Sequence, residues 1–331
     1  MKAITYKNTK TNLPGWREEL HKTQKFGYAY ETSSHFVHFY GKDRLYIISQ
    51  GLTVLEEKKG TLNDWVTNVF GAQDIEDMVN EVGHTVDGIW RPCLHYKNDV
   101  YAGLGVTKYE QRSAEQALRI LVSKLDDLLE YIEPNGPGLT AYSHRTRELL
   151  ILACTEVENQ WKALLKKSGV TPANGRTFTT QDYVKLHSKS FLAEYCIEMR
   201  NYNSVARMQP FATWTVAQPT KSLQWYDAYN RTKHDRDTEF SAATLQVVLE
   251  AIAANIALFC TRFSPIDLLN ESKSLSSIVN QLFEISLNNS DRKSFYLPEL
   301  SLPANTRKER LVYDSLREGH GKPWIVDPLT L

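Results

Sequence analysis

The sequence predicts a mainly α-helical protein, a helical bundle with a small β element near its N-terminus, and three observations carry that expectation. Apolar residues recur at steps of three and four from about Tyr109 to Glu133 and again from Leu149 to Leu165. VVLEAIAANIALFC (247–260) is apolar nearly all round, as a core helix must be, and falls short of the roughly 20 residues of a bilayer span. Strand-like alternation is clearest between Phe26 and Ser49, in HFVHFY (35–40) and RLYIIS (44–49), with Gly41 and Asp43 between them as in a hairpin.

In chain order, Thr61 with Asp64 three residues later opens TLNDWVTNVFG as a capped helix ended by Gly71. AQDIEDMVNEVG reads as a second helix ended by Gly83, and IWRPCLHY as irregular or extended chain. The long helix from Tyr109 stops at Pro134, and PNGPG (134–138) is the sharpest boundary in the text. It separates an N-terminal α+β region (1–135) from the bundle (139–265), with a C-terminal helix and extended tail beyond (266–331). Gly169 caps the next long helix. FLAEYCIEM (191–199) suits a strand by alternation and a helix by its neighbours. Further helices follow at about Ser222–His234 and Ser241–Phe263, and PIDLLNESKSLSSIVNQLFEISL is amphipathic enough for one more. The polar, proline-punctuated tail wraps the body or a partner, with Trp324 as its anchor.

Composition excludes several classes. With 42% hydrophobic residues, 16 Gly and 12 Pro in 331 residues, the chain buries a real core and is neither fibrous nor disordered. Lys plus Arg and Asp plus Glu are both 39, so any basic site is a local patch. No apolar leader precedes residue 16, and the four cysteines are dispersed, so a cytoplasmic location with reduced thiols and no membrane contact is expected. No glycine-rich phosphate loop and no GxSxG elbow is present. His35 and His38 fall on opposite faces of a strand, and Cys93 with His95 lacks two further zinc ligands. Neither metal nor cofactor is expected.

What stands out is WYDAYNRTKHDR (225–236). From Arg200 to Arg236 six basic residues face two acids, with Tyr202, Phe211, Trp214, Trp225, Tyr226 and Tyr229 interleaved. Cations engage phosphates and rings stack on bases, so the mixture suits single-stranded nucleic acid. It equally suits an ordinary helix whose aromatics are core and whose Asp227 pairs with Arg231. On a helix, Asn230 and His234 share a stripe, beside Tyr229, Lys233 and Arg236. Histidine exchanges protons near neutrality, Lys233, Arg236 and Arg231 would meet phosphate, and Tyr226 and Tyr229 would stack on bases. Asn230 would fix a substrate oxygen or the imidazole tautomer.

At these residues the sequence resembles the HEPN-like superfamily of prokaryotic helical proteins. The resemblance spans roughly Ala141 to Phe263: ELLILACTEVENQWKALLKKSG (148–169), then WYDAYNRTKHDR, then SAATLQVVLEAIAANIALF (241–259). It implies a helical bundle, a homodimer whose basic and imidazole groups meet across the interface, and metal-independent endoribonuclease action in stress or antiviral defence. The family's usual signature places a histidine after an arginine and four to six residues, whereas here Arg231 precedes His234 by only three positions. Two readings follow: a protein that binds or cleaves RNA through His234 and Asn230, or a non-catalytic dimerisation or partner-docking module.

Overall fold

The alternation near the N-terminus is realised as a sheet, and a larger one than the sequence predicts. The computed structural model describes residues 1–10, 25–41, 48–94, 97–269, 273–313 and 321–331. The chain divides into two units. The first comprises Met1–Val86, Trp90–Leu104 and Ser290–Asp327; the second comprises Asp87–Ile89, Gly105–Asn289 and Pro328–Leu331. The PNGPG turn lies inside the second unit, where Asn135 caps a single helical turn, Gly136–Leu139.

The first unit carries β1 (Ala3–Lys7), β2 (Phe26–Glu31), β3 (His35–Gly41), β4 (Ile48–Glu57), helix α1 (Leu62–Phe70), β5 (Gln73–Asp77), β6 (His84–Val86) and α2 (Lys97–Leu104). β9 (Leu311–Tyr313) and β10 (Ile325–Asp327) complete it from the end of the chain, while β7 (Tyr195–Met199) and β8 (Phe283–Leu287) belong to the second unit. Six strands form an antiparallel sheet in the order β5-β1-β2-β3-β4-β9, and β10 pairs with β6 in parallel. The predicted strand RLYIIS (44–49) lies largely outside the described residues.

Alternation sends residues to two covered faces. Ile4, Tyr6, Phe36 and Val54 pack under Trp65, Val66 and Phe70 of α1. Tyr28, Tyr30, Val37 and Phe39 pack under Phe295, Leu297 and Leu300 from the tail. The Thr61 hydroxyl accepts from the Asp64 amide, and Gly71 at φ 62° closes α1 as the sequence predicts, in a conformation that glycine adopts without strain.

Two expectations are corrected here. The β element is not small: ten strands in three sheets are present among the described residues, because three-residue strands in a polar tail leave no periodic signal. AQDIEDMVNEVG is not a helix. Its residues 73–77 add an edge strand to β1, pairing Ile4 with Asp77 and Thr5 with Glu76, and Lys7 reaches Asp74 at 2.6 Å. An open strand edge outweighed local helix propensity.

The second unit is the helical bundle: α3 (Lys108–Leu129), α4 (His144–Lys167), α5 (Gln224–His234), α6 (Leu245–Phe263) and α7 (Ser274–Leu282). Thr107 and Glu110 form a capping box at the start of α3, and Ser143 with Thr146 does the same for α4. α6 is long and apolar enough to cross a membrane by length and composition, and 83% of its most apolar window is buried inside the protein. Its Asn255 amide donates to the carbonyls of Ala153 and Ala251, both at 2.9 Å, tying α6 to α4. The segment PIDLLNESKSLSSIVNQLFEISL (265–287) is not one helix. It forms a turn at Ile266–Leu269, then α7, then strand β8 (Phe283–Leu287), which pairs antiparallel with β7 (Tyr195–Met199) and so resolves 195–199 as a strand.

His38 sits in the first unit with its ring stacked on Phe70, centroids 3.8 Å apart. Burial holds the imidazole well below its ordinary value. The unfolded chain therefore binds a proton below about pH 6.5 that the folded unit excludes, and the stability His38 contributes is present above that pH and lost as pH falls. The urea-unfolding midpoint is expected to drop between about pH 7 and about pH 5, and His38→Phe to flatten that slope. Parallel slopes for the two proteins would show that His38 is not the titrating group.

Candidate functional site

The WYDAYNRTKHDR segment forms α5, and packing against α4 decides which of its side chains reach solvent. Leu223 and Trp225 are buried at its start, and the Trp225 indole donates to the Pro210 carbonyl at 2.9 Å. Trp161 of α4 is the hub of an aromatic cluster: Trp214 stacks on it at 4.9 Å between centroids, Tyr183 lies at 5.0 Å and Tyr226 at 5.4 Å. Such a cluster joins large buried area to favourable ring geometry.

Tyr226 and Tyr229 are 3% and 1% exposed, so neither offers a ring face to a base. Their hydroxyls are engaged instead. Tyr226 Oη donates to Glu158 Oε1 at 2.9 Å, and Lys233 Nζ donates to Tyr229 Oη at 2.8 Å while lying 5.0 Å from the ring centroid. Burial pushes both phenols up, and the Tyr229 contact holds the Lys233 ammonium above the usual lysine value. Both phenols therefore stay protonated and Lys233 stays charged. Glu158 also meets Lys162 one turn on, at 3.4 Å.

The remaining predicted residues separate. Arg231 bridges Asp227 at 3.2 Å and Glu239 at 3.0 Å, so two carboxylates already occupy the guanidinium proposed for phosphate. Asn230 Nδ2 donates back along its own helix to the Tyr226 carbonyl at 2.9 Å, which leaves its Oδ1 as the atom turned to other partners. His234 is the last residue of α5 and is exposed; among the described residues no side chain hydrogen-bonds its ring. Arg236 opens the short helix Arg236–Glu239, and its side chain lies outside the description. The end of α5 thus offers two exposed basic side chains consecutive in the chain, Lys233, whose ammonium is bonded to the Tyr229 hydroxyl, and His234.

Sequence reasoning missed Glu158, which beside Glu156 reads only as part of a solvated face or a local salt bridge, although its carboxylate receives the buried Tyr226. Among the described residues no group of three or more His, Cys, Asp or Glu is placed to hold a metal ion. His35 and His38 do lie on opposite sheet faces: His35 meets Ser34 Oγ and the Arg307 carbonyl, whereas His38 stacks on Phe70. His95 lies outside the described residues. All four cysteines are free and buried, and burial pushes their thiols up, which withholds the reactive thiolate.

Comparison with protein-family models, with curated proteins and with solved structures finds no match to this chain.

Tyr226→Phe is expected to lower stability by about 1–2 kcal/mol in urea unfolding, because Glu158 loses a donor in a partly buried setting. Arg231→Ala is expected to cost less than about 1 kcal/mol, since its two ion pairs are half in water. A reversed order of the two losses would contradict this account of the α4–α5 seam.

Proposed function

We propose that this chain is a HEPN-like helical protein of stress or defence type that engages RNA at the end of α5 and cleaves it without a metal. The single observation that carries the reading is that α5 ends on two exposed basic residues, the charged Lys233 and then His234. Lys233 holds a phosphate oxygen and offsets the charge of the phosphorane. His234 exchanges the proton: as base it takes the hydrogen of the 2′-hydroxyl attacking the neighbouring phosphorus, and as acid it returns one to the departing 5′-oxygen. One imidazole serves one of these roles at a time, so a homodimer that brings two copies of His234 together supplies both. Asn230 Oδ1 orients the substrate or the ring.

Buried aromatics leave recognition to phosphate, so the preference for base is weak; the target is single-stranded RNA because its backbone is free to bring the 2′-hydroxyl in line with the phosphorus. The test is chemical. Wild type and His234→Ala are incubated with mixed RNA in chelator, and the ends are mapped for 2′,3′-cyclic phosphate. Cyclic ends from wild type, reduced at least about a hundredfold in the variant, are expected. RNA left intact by both from mildly acid to mildly alkaline pH would remove the enzymatic reading.

A second reading, a non-catalytic dimerisation or partner-docking module, is favoured by the neutralisation of Arg231 by Asp227 and Glu239. Under it, Lys233→Ala and His234→Ala alter the assembly state in light scattering, and single-stranded RNA shows no salt-dependent gel shift.

A further inference from the structure

At the opposite end of α5 from His234, the second unit holds an open cavity of about 450 Å³, within the range that small-molecule sites occupy. Its lining is mixed: Met208, Pro210, Leu223 and Trp225 supply an apolar sector, and Gln209, Thr213, Ser222 and Gln224 supply polar groups. Three charged side chains reach it, Arg207, Lys221 and Glu250, and they are not equivalent. Arg207 is already spent on Glu198, at 2.7 Å. Lys221 is exposed and, among the described residues, takes part in no ion pair. Glu250, on α6, is half-buried, and Gln246 one turn earlier donates to one of its oxygens at 2.8 Å. Burial lifts its carboxyl above the usual range, the mark of an acid short of compensating charge.

The uncommitted charges are therefore one ammonium and one carboxylate on one volume that keeps an apolar sector at Met208, Pro210 and Leu223. A ligand that leaves neither unmatched carries one charge of each sign on a short apolar body. We propose that this cavity binds a free α-amino acid with an apolar side chain. The ligand ammonium meets Glu250, its carboxylate meets Lys221, and its side chain lies along Met208, Pro210 and Leu223. A simple anion leaves Glu250 unpaired, and a simple amine leaves Lys221 unpaired. This site makes no use of His234 and stands independently of the RNA reading.

Isothermal titration of the full chain with L-valine, L-leucine, L-methionine and L-phenylalanine tests it. Two one-charge analogues of leucine, 4-methylpentanoate and 3-methylbutylamine, serve as controls. Saturable binding of at least one amino acid is expected, weakened about tenfold or more by loss of either ligand charge. Glu250→Gln and Lys221→Met are each expected to weaken the amino acid about tenfold, at an unchanged melting temperature. Glu250→Gln should leave the carboxylate analogue unaffected, and Lys221→Met the amine. No saturable heat from any of the four amino acids, analogues that bind as well as the parent, or variants that bind unchanged would each overturn the proposal.

Discussion

The hydrogen bond from Tyr226 to Glu158, set beside the Trp161 aromatic cluster, fixes the rotation of α5 about its own axis. An eleven-residue helix presents only about three turns, so once Trp225, Tyr226 and Tyr229 are turned inward the outward set is determined. Lys233 and His234 then sit at the exposed end, and Lys233 is held there by a tyrosine that is itself part of the core. The site is an extension of the packing, because the residues that stabilise the seam also aim the residues that face solvent.

Charge along the same segment is largely settled within the protein. Asp227 and Glu239 meet Arg231, and Glu158 lies near enough to contribute to the Lys233 field. A run of cations in the text is thus a poor measure of the field a ligand meets. The potential depends on which acids the fold returns to the neighbourhood, here from the next helix turn and from α4. The cavity beside Glu250 shows the converse. An unremarkable Glu and Gln four residues apart on the apolar helix acquire meaning only because the 206–224 segment passes over them.

The elements that local reasoning placed correctly are those whose signal is complete within a dozen residues. Thr61 and Gly71 bracket α1, and the period-three-and-four runs become α3, α4 and α6. The elements it misplaced depend on a partner far along the chain. Residues 73–77 are a strand because β1 offers an edge; residues 283–287 are a strand because β7 does. Leu311–Tyr313 is a strand only because β4 lies ready to pair with it.

From composition, periodicity and caps alone, the mainly helical class, the long bundle helices, the buried nature of α6 and the one segment rich in cations and aromatics were all readable, because each rests on short-range steric and hydrophobic rules. Which face of that segment is core, which of its arginines is already paired, how far the sheet extends and where a cavity opens were not. Those depend on contacts between residues dozens to hundreds of positions apart, and hydrogen bonds such as Tyr226 to Glu158 exist only once the helices bearing them have been brought together.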